Sequence, residues 1–290
     1  MNSAVRQPVF RFAPSPNGHL HLGHACSALL NAGLARRLGG RFLLRVENID
    51  TRRCTPGLEA DMLEDLQWLG LDWEKPVLRQ SDRFEAYTAA ADTLKRQGLL
   101  YPCFCSRGLI AREAGGDARR DPDGALVYPG TCAGLAAEHS QARIRAGAPH
   151  AWRLRSNAFA PAQGWSEARD ESLREFAGAC GDLAEWGDAV IARRDTPASY
   201  HLAVVVDDAF QGVTHAVRGR DLFASTAIHR ALQQALGLPA PVYFHHRLLL
   251  DGTMRKLSKS LGSRSLRDLR EAGVPAAAVR AAAEGSAASG

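Results

Sequence analysis

An apolar run, two prolines, a glycine and an Ala/Leu-rich run open this chain, and their order restricts the fold more than any other stretch. Val9 to Ala13 reads as a strand, and Pro14 and Pro16 stop it from continuing as strand or helix. Gly18 permits a sharp turn, after which Ala25 to Leu38 reads as a helix, with Leu29, Leu30, Leu34 and Leu38 at three-to-four spacing. His21, Gly23 and His24 therefore fall at the mouth of a helix, where unpaired N–H groups and the dipole favour an anion. Two imidazoles there can donate to phosphate oxygens, and Gly23 leaves room for a base or ribose against the backbone. Taken alone, a His-x-Gly-His of this kind reads more readily as a strand-turn-helix with a pair of surface histidines.

A second motif, Lys256-Leu-Ser-Lys-Ser260, follows an apolar run, Val242 to Leu250, that reads as a strand. Two ammonium groups on a Ser/Lys loop suit a triphosphate whose charge grows during attack at its α-phosphorus. Without the first motif, it would be an exposed basic loop.

Between these motifs, strand and helix alternate at βαβ spacing. Arg41 to Val46 is a strand, leading into Glu47-Asn-Ile-Asp50, and Gly57 to Leu69 and Asp82 to Gln97 are helices closed by Gly70 and Gly98. The sheet should be parallel, with the site beyond the carboxyl ends of its strands. Glu47 and Asp50 lie past such an end and are candidates for holding a substrate amine. Residues 100–150 break the alternation with Cys103-Phe-Cys105, a Gly/Asp/Arg-rich loop and Tyr128-Pro-Gly-Thr-Cys132. Three thiols in so short a stretch suit zinc, yet the usual Cys-x-x-Cys pairs are missing, so zinc ligands and reduced structural cysteines are both open readings. The remaining cysteines, Cys26, Cys54 and Cys180, are scattered. Residues 152–186 give mixed signals beyond a short strand at Trp152 to Arg155. Strands return at Ala189 to Arg193 and Val213 to Arg218, and Leu222 to Leu236 is an amphipathic helix. The chain turns helical again at about Leu266 and ends in a Ser/Ala/Gly stretch expected to fray.

With 290 residues, 46% hydrophobic and 23% charged, the composition is that of a globular protein with a substantial core. No apolar run approaches a membrane span and no signal-peptide pattern opens the chain, so a cytoplasmic protein with no membrane partner is expected. A net charge of +5 permits a polyanionic partner without requiring one. In that compartment the six cysteines are expected as thiols or metal ligands rather than disulfides.

In this order and at this separation, His21-Leu-Gly-His24 and Lys256-Leu-Ser-Lys-Ser260 resemble the paired ATP-binding motifs of class I aminoacyl-tRNA synthetases. Arg11-Phe-Ala-Pro-Ser-Pro-Asn-Gly, Arg45-Val-Glu-Asn-Ile-Asp50, Tyr200-His-Leu-Ala-Val-Val-Val-Asp-Asp208 and Gly212-Val-Thr-His-Ala-Val-Arg218 are similar to the motifs of the glutamyl branch, across nearly all of residues 9–262. The resemblance implies an α/β chain, a class I synthetase-type Rossmann nucleotide-binding fold. Its halves would span residues 8–99 and 151–262, with a zinc-binding-type insertion at 100–150 and a short helical extension at 263–290. It implies that Arg11, Ala13, Ser15, Glu47, Tyr200 and Arg218 bind L-glutamate. Within that set, Arg11 and Arg218 would take the side-chain carboxylate and Glu47 the α-amino group. It implies that His21, Gly23, His24 and Lys259 serve ATP, brought with Mg2+, and that His21, His24, Lys256 and Lys259 are catalytic. The residue types agree: a buried carboxylate calls for a guanidinium and a free ammonium for a carboxylate.

Three departures refine the resemblance. Thirty residues after Ser260 are too few for the long anticodon-binding region of full glutamyl-tRNA synthetases, Val204 stands where their helical motif has Asn, and Asn48 stands where Asp is usual. The short chain, the Val217-to-Leu222 segment and the Cys-x-Cys … Tyr-x-x-x-Cys set resemble the paralogous glutamyl-queuosine tRNA(Asp) synthetases. That family implies Zn2+ on Cys103, Cys105, Tyr128 and Cys132. It also implies tRNA-independent formation of glutamyl-adenylate and transfer of glutamate to queuosine at the wobble position of tRNA(Asp). The sequence leaves the oligomeric state open, with a monomer as the default expectation. The rival readings are a compact glutamyl-tRNA synthetase charging the 3′ end, a nucleotidyltransferase joining a small carboxylate to an amine, and a catalytically silent tRNA-binding protein. The intact histidine and lysine pairs argue against silence, and Arg11 with Arg218 favours an acidic amino acid.

Overall fold

The computed structural model of the chain describes residues 7–116, 118–248 and 264–288. Strand β1 is Val9–Phe12, buried throughout. Helix α1 is Leu22–Arg37, so it starts a turn earlier than its apolar periodicity suggests and takes His24 into its first turn. Strand β2, Arg41–Val46, runs parallel to β1 in the register Val9↔Arg41 to Phe12↔Leu44. The return from α1 is tight: Gly39 adopts φ +60°, and a Cβ on Gly40 would lie 2.6 Å from the Pro8 carbonyl oxygen.

Helix α2, Pro56–Trp68, is capped by Thr55 and carries proline in its first turn. Then come β3, Glu74–Arg79, helix α3, Phe84–Arg96, and β4, Leu100–Cys103. Helices α4, Arg107–Ala114, and α5, Ala137–Arg145, precede β5, Ala151–Leu154. A hairpin of β6, Ala162–Ala168, and β7, Phe176–Asp182, leads to β8, Val190–Ala192. The rest is α6, Tyr200–Phe210; β9, His215–Gly219; α7, Thr226–Leu236; β10, Val242–His246; α8, Leu266–Glu271; and α9, Ala276–Ala288.

The main sheet has the order β3-β2-β1-β9-β10-β6-β7. All its pairings are parallel except β6 with β7, so the expected parallel sheet carries an antiparallel edge hairpin. The strand order reverses at β1, between β2 and β9, and a crevice opens there beyond the carboxyl ends. A second, antiparallel sheet, β4-β5-β8, draws its strands from both sides of residue 150. The C-terminal stretch, expected to fray, is helical to Ala288. Val279 and Ala283 of α9 and Leu266 of α8 join the core with Leu20, Ala25, Met62 and Leu66, and Arg267 and Arg270 pair with Asp61, Glu64 and Asp65 of α2. Among the described residues no helix is long and apolar enough to cross a membrane.

Side-chain alternation along the strands divides the core. Phe10, Phe12, Leu44, Val46, Val217 and Phe244 join the apolar clusters that hold α1 and α2. The intervening positions are Val9-x-Arg11, Leu43-x-Arg45, Ala216-x-Arg218 and Tyr243-x-His245, each apolar first and cationic or imidazole at the carboxyl end. That face packs on α6 and α7. Asp208 of α6 accepts from Arg11 Nε at 3.0 Å and Arg45 Nη1 at 2.6 Å, while its neighbour Asp207 accepts from Gln80, Arg83 and Tyr87 at 3.1, 2.7 and 2.7 Å. Two adjacent carboxylates thus fasten α6 to the sheet on one side and to α3 on the other.

Removing the shared carboxylate leaves buried Arg11 without an anion among the described residues and buried Arg45 with Glu47 alone. Asp208→Ala is expected to cost about 3–5 kcal/mol in urea unfolding. Breaking the more exposed Lys95–Asp92 pair of α3 by Asp92→Ala should cost about 0.5 kcal/mol or less. Equal effects would mean that Asp208 does not hold the layer together.

Candidate active site

The crevice is a cavity of about 410 Å³ lined by Arg11, Ala13, Ser15, His21, Gly23, His24, Glu47, Tyr200 and Arg218, together with Gly219, Asp221, His246 and Leu248. Apart from Asp50, every expected glutamate- or nucleotide-site residue that lies among the described residues is therefore on one cavity wall or another. Lys256 and Lys259 lie outside the described residues. The residues flanking that stretch do reach the site. Leu248 lines the cavity, Ser265 pairs with His21, and Leu266 N–H donates to the Leu20 carbonyl at 2.7 Å.

At the mouth of α1, His21 is the N-cap. Its Nδ1 accepts the Gly23 N–H and His24 Nδ1 accepts the His21 N–H, both at 3.1 Å. Each ring accepts at Nδ1, so a neutral imidazole carries its proton on Nε2 and is a donor there. The two rings lie 3.9 Å apart, and a Cβ on Gly23 would come within 2.9 Å of His21 Cε1. A side chain at this position would therefore displace the capping ring, beyond taking the space that glycine leaves for a ligand.

The floor is the cationic face of the sheet. Arg11 spends Nε and Nη2 on Asp208, and Arg45, fully buried, bridges Asp208 and Glu47, the latter at 3.0 Å. Burial alone would raise Asp208, but the charges of Arg11 and Arg45 outweigh it and hold the carboxyl below its ordinary range. For Glu47 the balance reverses: burial outweighs Arg45 and Arg11 and raises its pKa. Asp50, expected beside Glu47, instead pairs with Arg53 at 2.7 Å and does not line the cavity. Asn48 is bonded on both sides to Ser81, at 3.0 and 2.9 Å, and so ties the end of β2 to the segment before α3.

Arg218 is 5% exposed and is held by neutral groups. Nε donates to His245 Nε2 at 3.1 Å, Nη1 lies 3.1 Å from His229 Nδ1, and Nη2 donates to Thr226 Oγ1 and the Leu222 carbonyl at 2.7 and 3.2 Å. Burial and the nearby guanidinium push His229 down, and burial lowers His245 against the pull of Glu167. His201, 3.2 Å from His229, is pushed down to about 4 by burial and by Arg218. Among the described residues Arg218 makes no ion pair. Tyr200, at the start of α6, is pushed up to about 12, chiefly by burial, and keeps its hydroxyl proton at neutral pH.

Away from the cavity, the Sγ atoms of Cys103, Cys105 and Cys132 lie within 4.8 Å of one another, all buried. The Tyr128 hydroxyl is 3.4 Å from Cys105 Sγ and accepts the Cys132 N–H at 2.8 Å. A tetrahedral zinc with Zn–S near 2.3 Å needs ligands about 3.8 Å apart, and Cys105 and Cys132, at 3.5 Å, match that edge. Burial and the three thiols raise Tyr128, so a phenolate is disfavoured there unless a cation joins the cluster. The residues present fit a zinc ion.

Sequence reasoning named neither the imidazole layer (His201, His229, His245) nor Asp208 and Glu167 as site residues. For His245 the signal was present in the strands: a polar residue on the apolar phase of a buried strand, at its carboxyl end, as at Arg11, Arg45 and Arg218; His201, Asp208 and His229 sit on helices and Glu167 on the edge hairpin, where no such pattern marks them.

Residues 8–283 match the family model of the tRNA synthetases class I (E and Q), catalytic domain. Fold and cavity together therefore define a class I synthetase catalytic domain, an enzyme. The glutamyl-Q tRNA(Asp) synthetase of Rhodobacter capsulatus is 46% identical over 288 residues, covering 94% of this chain and 98% of the relative. That of Thiobacillus denitrificans is 43% identical over 256 residues, covering 87% and 77%. Among solved structures, the glutamate-tRNA synthetase from Elizabethkingia anophelis aligns with a TM-score of 0.73 at 26% identity, over 93% of this chain and 55% of that chain. The chain belongs to the glutamyl-Q tRNA(Asp) synthetase family of class I synthetases.

The two carboxylates on Arg45 should titrate on opposite sides of their ordinary values. A carboxyl-detected NMR titration, assigned with Glu47→Gln and Asp208→Asn, is expected to place Glu47 above about 4.3 and Asp208 below about 3.9. The Asp208 contribution to stability is then present above its unfolded value and lost as pH falls through its depressed one. The reverse order would mean that the guanidiniums favour Glu47 rather than Asp208.

Proposed function

We propose that this enzyme activates L-glutamate with ATP in the absence of tRNA and then transfers the glutamyl group to queuosine at the wobble position of tRNA(Asp). The observation that carries the reading is Arg218, a buried guanidinium at the cavity that, among the described residues, is held by neutral groups alone. Arg11, Arg45 and Arg218 against Asp208 and Glu47 leave one positive charge at the cavity floor, and bound L-glutamate carries one net negative charge. The side-chain carboxylate then meets Arg218 and Arg11, and the α-ammonium meets Glu47 beside Tyr200. Glutamine brings no charge to Arg218, and aspartate is one methylene short.

This orientation turns the α-carboxylate toward the nucleotide. One of its oxygens attacks the α-phosphorus, pyrophosphate leaves with Mg2+, and a glutamyl-adenylate remains. The Nε2–H groups of His21 and His24 and the N-terminus of α1 stabilise charge developing on the phosphates. Lys256 and Lys259 are assigned the same task. A hydroxyl of the queuosine cyclopentenediol then attacks the activated carbonyl and AMP departs, leaving an ester on the base. Cys103, Cys105, Cys132 and Tyr128 would hold zinc, which supplies a structural tie across the segment between β4 and β5.

Glutamate-dependent exchange of pyrophosphate into ATP is expected with no tRNA present, and Lys259→Ala should slow it roughly 100-fold or more while glutamate binding persists. A requirement for tRNA would remove the activation half of the proposal.

Metal analysis of protein purified without chelators should return about one zinc per chain. Cys103→Ser or Cys132→Ser should lose it, and Tyr128→Phe, which deletes only the oxygen, should weaken it. Metal-free protein of full activity would refute the assignment.

The acceptor is read with two substrates. tRNA(Asp) trimmed of its 3′-terminal adenosine should remain a full acceptor, and tRNA(Asp) lacking queuosine should accept nothing. A compact glutamyl-tRNA synthetase gives the reverse on both, so glutamate found only on an intact 3′ end would overturn the acceptor while leaving the adenylate chemistry.

A further inference from the structure

Arg218 has a partly buried anion behind it, one imidazole away. Glu167 of β6 accepts three N–H groups: His245 N–H at 2.9 Å, His245 Nδ1–H at 2.9 and 3.0 Å to its two oxygens, and Trp165 Nε1–H at 2.8 Å. An imidazole that gives its Nδ1 proton to a carboxylate and is otherwise neutral presents a bare Nε2. That Nε2 is the atom that accepts the Arg218 Nε–H at 3.1 Å. With the opposite tautomer, two N–H groups would face each other across that distance. The hairpin that carries Glu167 joins the main sheet through the pairing of Tyr243 with Glu167, so the carboxylate is set by backbone register rather than by a flexible loop.

We propose that Glu167 is a positioning residue for glutamate recognition: through His245 it fixes the plane of the Arg218 guanidinium and the direction of the Nη1 edge that meets the substrate carboxylate. The proposal rests on the reading of Arg218 as the glutamate side-chain ligand. A guanidinium is useful to a carboxylate only in the right plane. Thr226 and the Leu222 carbonyl hold Nη2, His229 holds one side of Nη1, and His245 holds Nε. Of these, His245 is the one whose acceptor character depends on a partner charge outside the cavity. Placing that charge one residue away, rather than in contact, lets the substrate carboxylate be the anion that pairs with Arg218.

The test is glutamate-dependent pyrophosphate exchange in the full chain with KM measured separately for glutamate and ATP. In Glu167→Gln an amide nitrogen must confront either Trp165 or His245, and the glutamate KM is expected to rise roughly tenfold, the size of one misdirected hydrogen bond to a charged group. The ATP KM should move less than about twofold, since His21 and His24 are built on another element. His245→Leu, which removes the acceptor, should reproduce the rise, and His245→Gln, whose Oε1 can accept from Nε, should restore most of the loss. Adding Glu167→Gln to His245→Leu should add less than about twofold, because the route is already cut. An unchanged glutamate KM in Glu167→Gln overturns the proposal, as does an equal rise in both KM values or a full additional effect in the double variant. Should Glu167→Gln fail to fold, the Leu and Gln variants of His245 decide alone: equal losses overturn it. Arg218→Ala separates the two levels. If it leaves the glutamate KM unchanged, the reading of the cavity fails and the proposal with it. If it raises that KM steeply while Glu167→Gln does not, only the positioning role fails.

Discussion

The carboxylate of Asp208, shared between Arg11 and Arg45, is the interaction on which the rest of the site depends. Two guanidiniums under the sheet cost several kcal/mol each to desolvate, and a single anion from α6 makes that burial tolerable. Because the anion is shared, it fixes three elements at once: β1, β2 and α6. It also leaves Glu47 with only part of a guanidinium, which is why burial dominates its titration and not that of Asp208. A carboxylate so placed has a strong tendency to acquire a cation, and an amine entering the cavity supplies one.

The cavity separates two electrostatic tasks by element type. The mouth of α1 offers dipole and N–H donors, a diffuse positive field suited to phosphate oxygens. The carboxyl ends of β1, β2 and β9 offer guanidiniums fixed in plane, suited to one carboxylate. The reversal of strand order at β1 is what sets these side by side, since the loop into α1 and the loop after β9 border the same crevice. The capping pair adds a constraint of its own. His21 and His24 satisfy each other's helix end with Nδ1, so both must remain unprotonated on that nitrogen while they donate with the other.

What was legible in the sequence followed from strong local rules. Pro14 and Pro16 ended β1, Gly70 and Gly98 ended helices, and the periodicity of residues 25–38 gave α1 to within a turn. The expected residues at the cavity were found because they sit in contiguous motifs. The hairpin of β6 and β7 was not legible, because one face of β6 is made of Gln163, Trp165 and Glu167 and the other buries only Ala168, with no apolar alternation to mark a strand. Asp207 and Asp208 were quoted in a motif, yet no local rule says that one will face the sheet and the other α3. That division appears only when α6 is set on strands nearly two hundred residues away in the chain. The helical run to Ala288 was missed because Gly and Ser in its last turns read as a fraying end.

The neutrality around Arg218 completes the physical argument. A buried guanidinium would be most stable beside a carboxylate, and the fold has one to offer at this depth, as Asp208 demonstrates. It offers imidazoles, a hydroxyl and a carbonyl instead. Each imidazole is held neutral by burial and by the same guanidinium, so none contributes a competing positive charge and none neutralises the one present. The arrangement gives up stability that an ion pair would contribute and keeps an unpaired charge in a low-dielectric wall, where an anionic ligand gains more from it than at the surface. On the proposed reading of Arg218, a ligand lacking that charge would leave the guanidinium buried and unpaired, and this penalty, more than the shape of the cavity, would discriminate an acid from its amide.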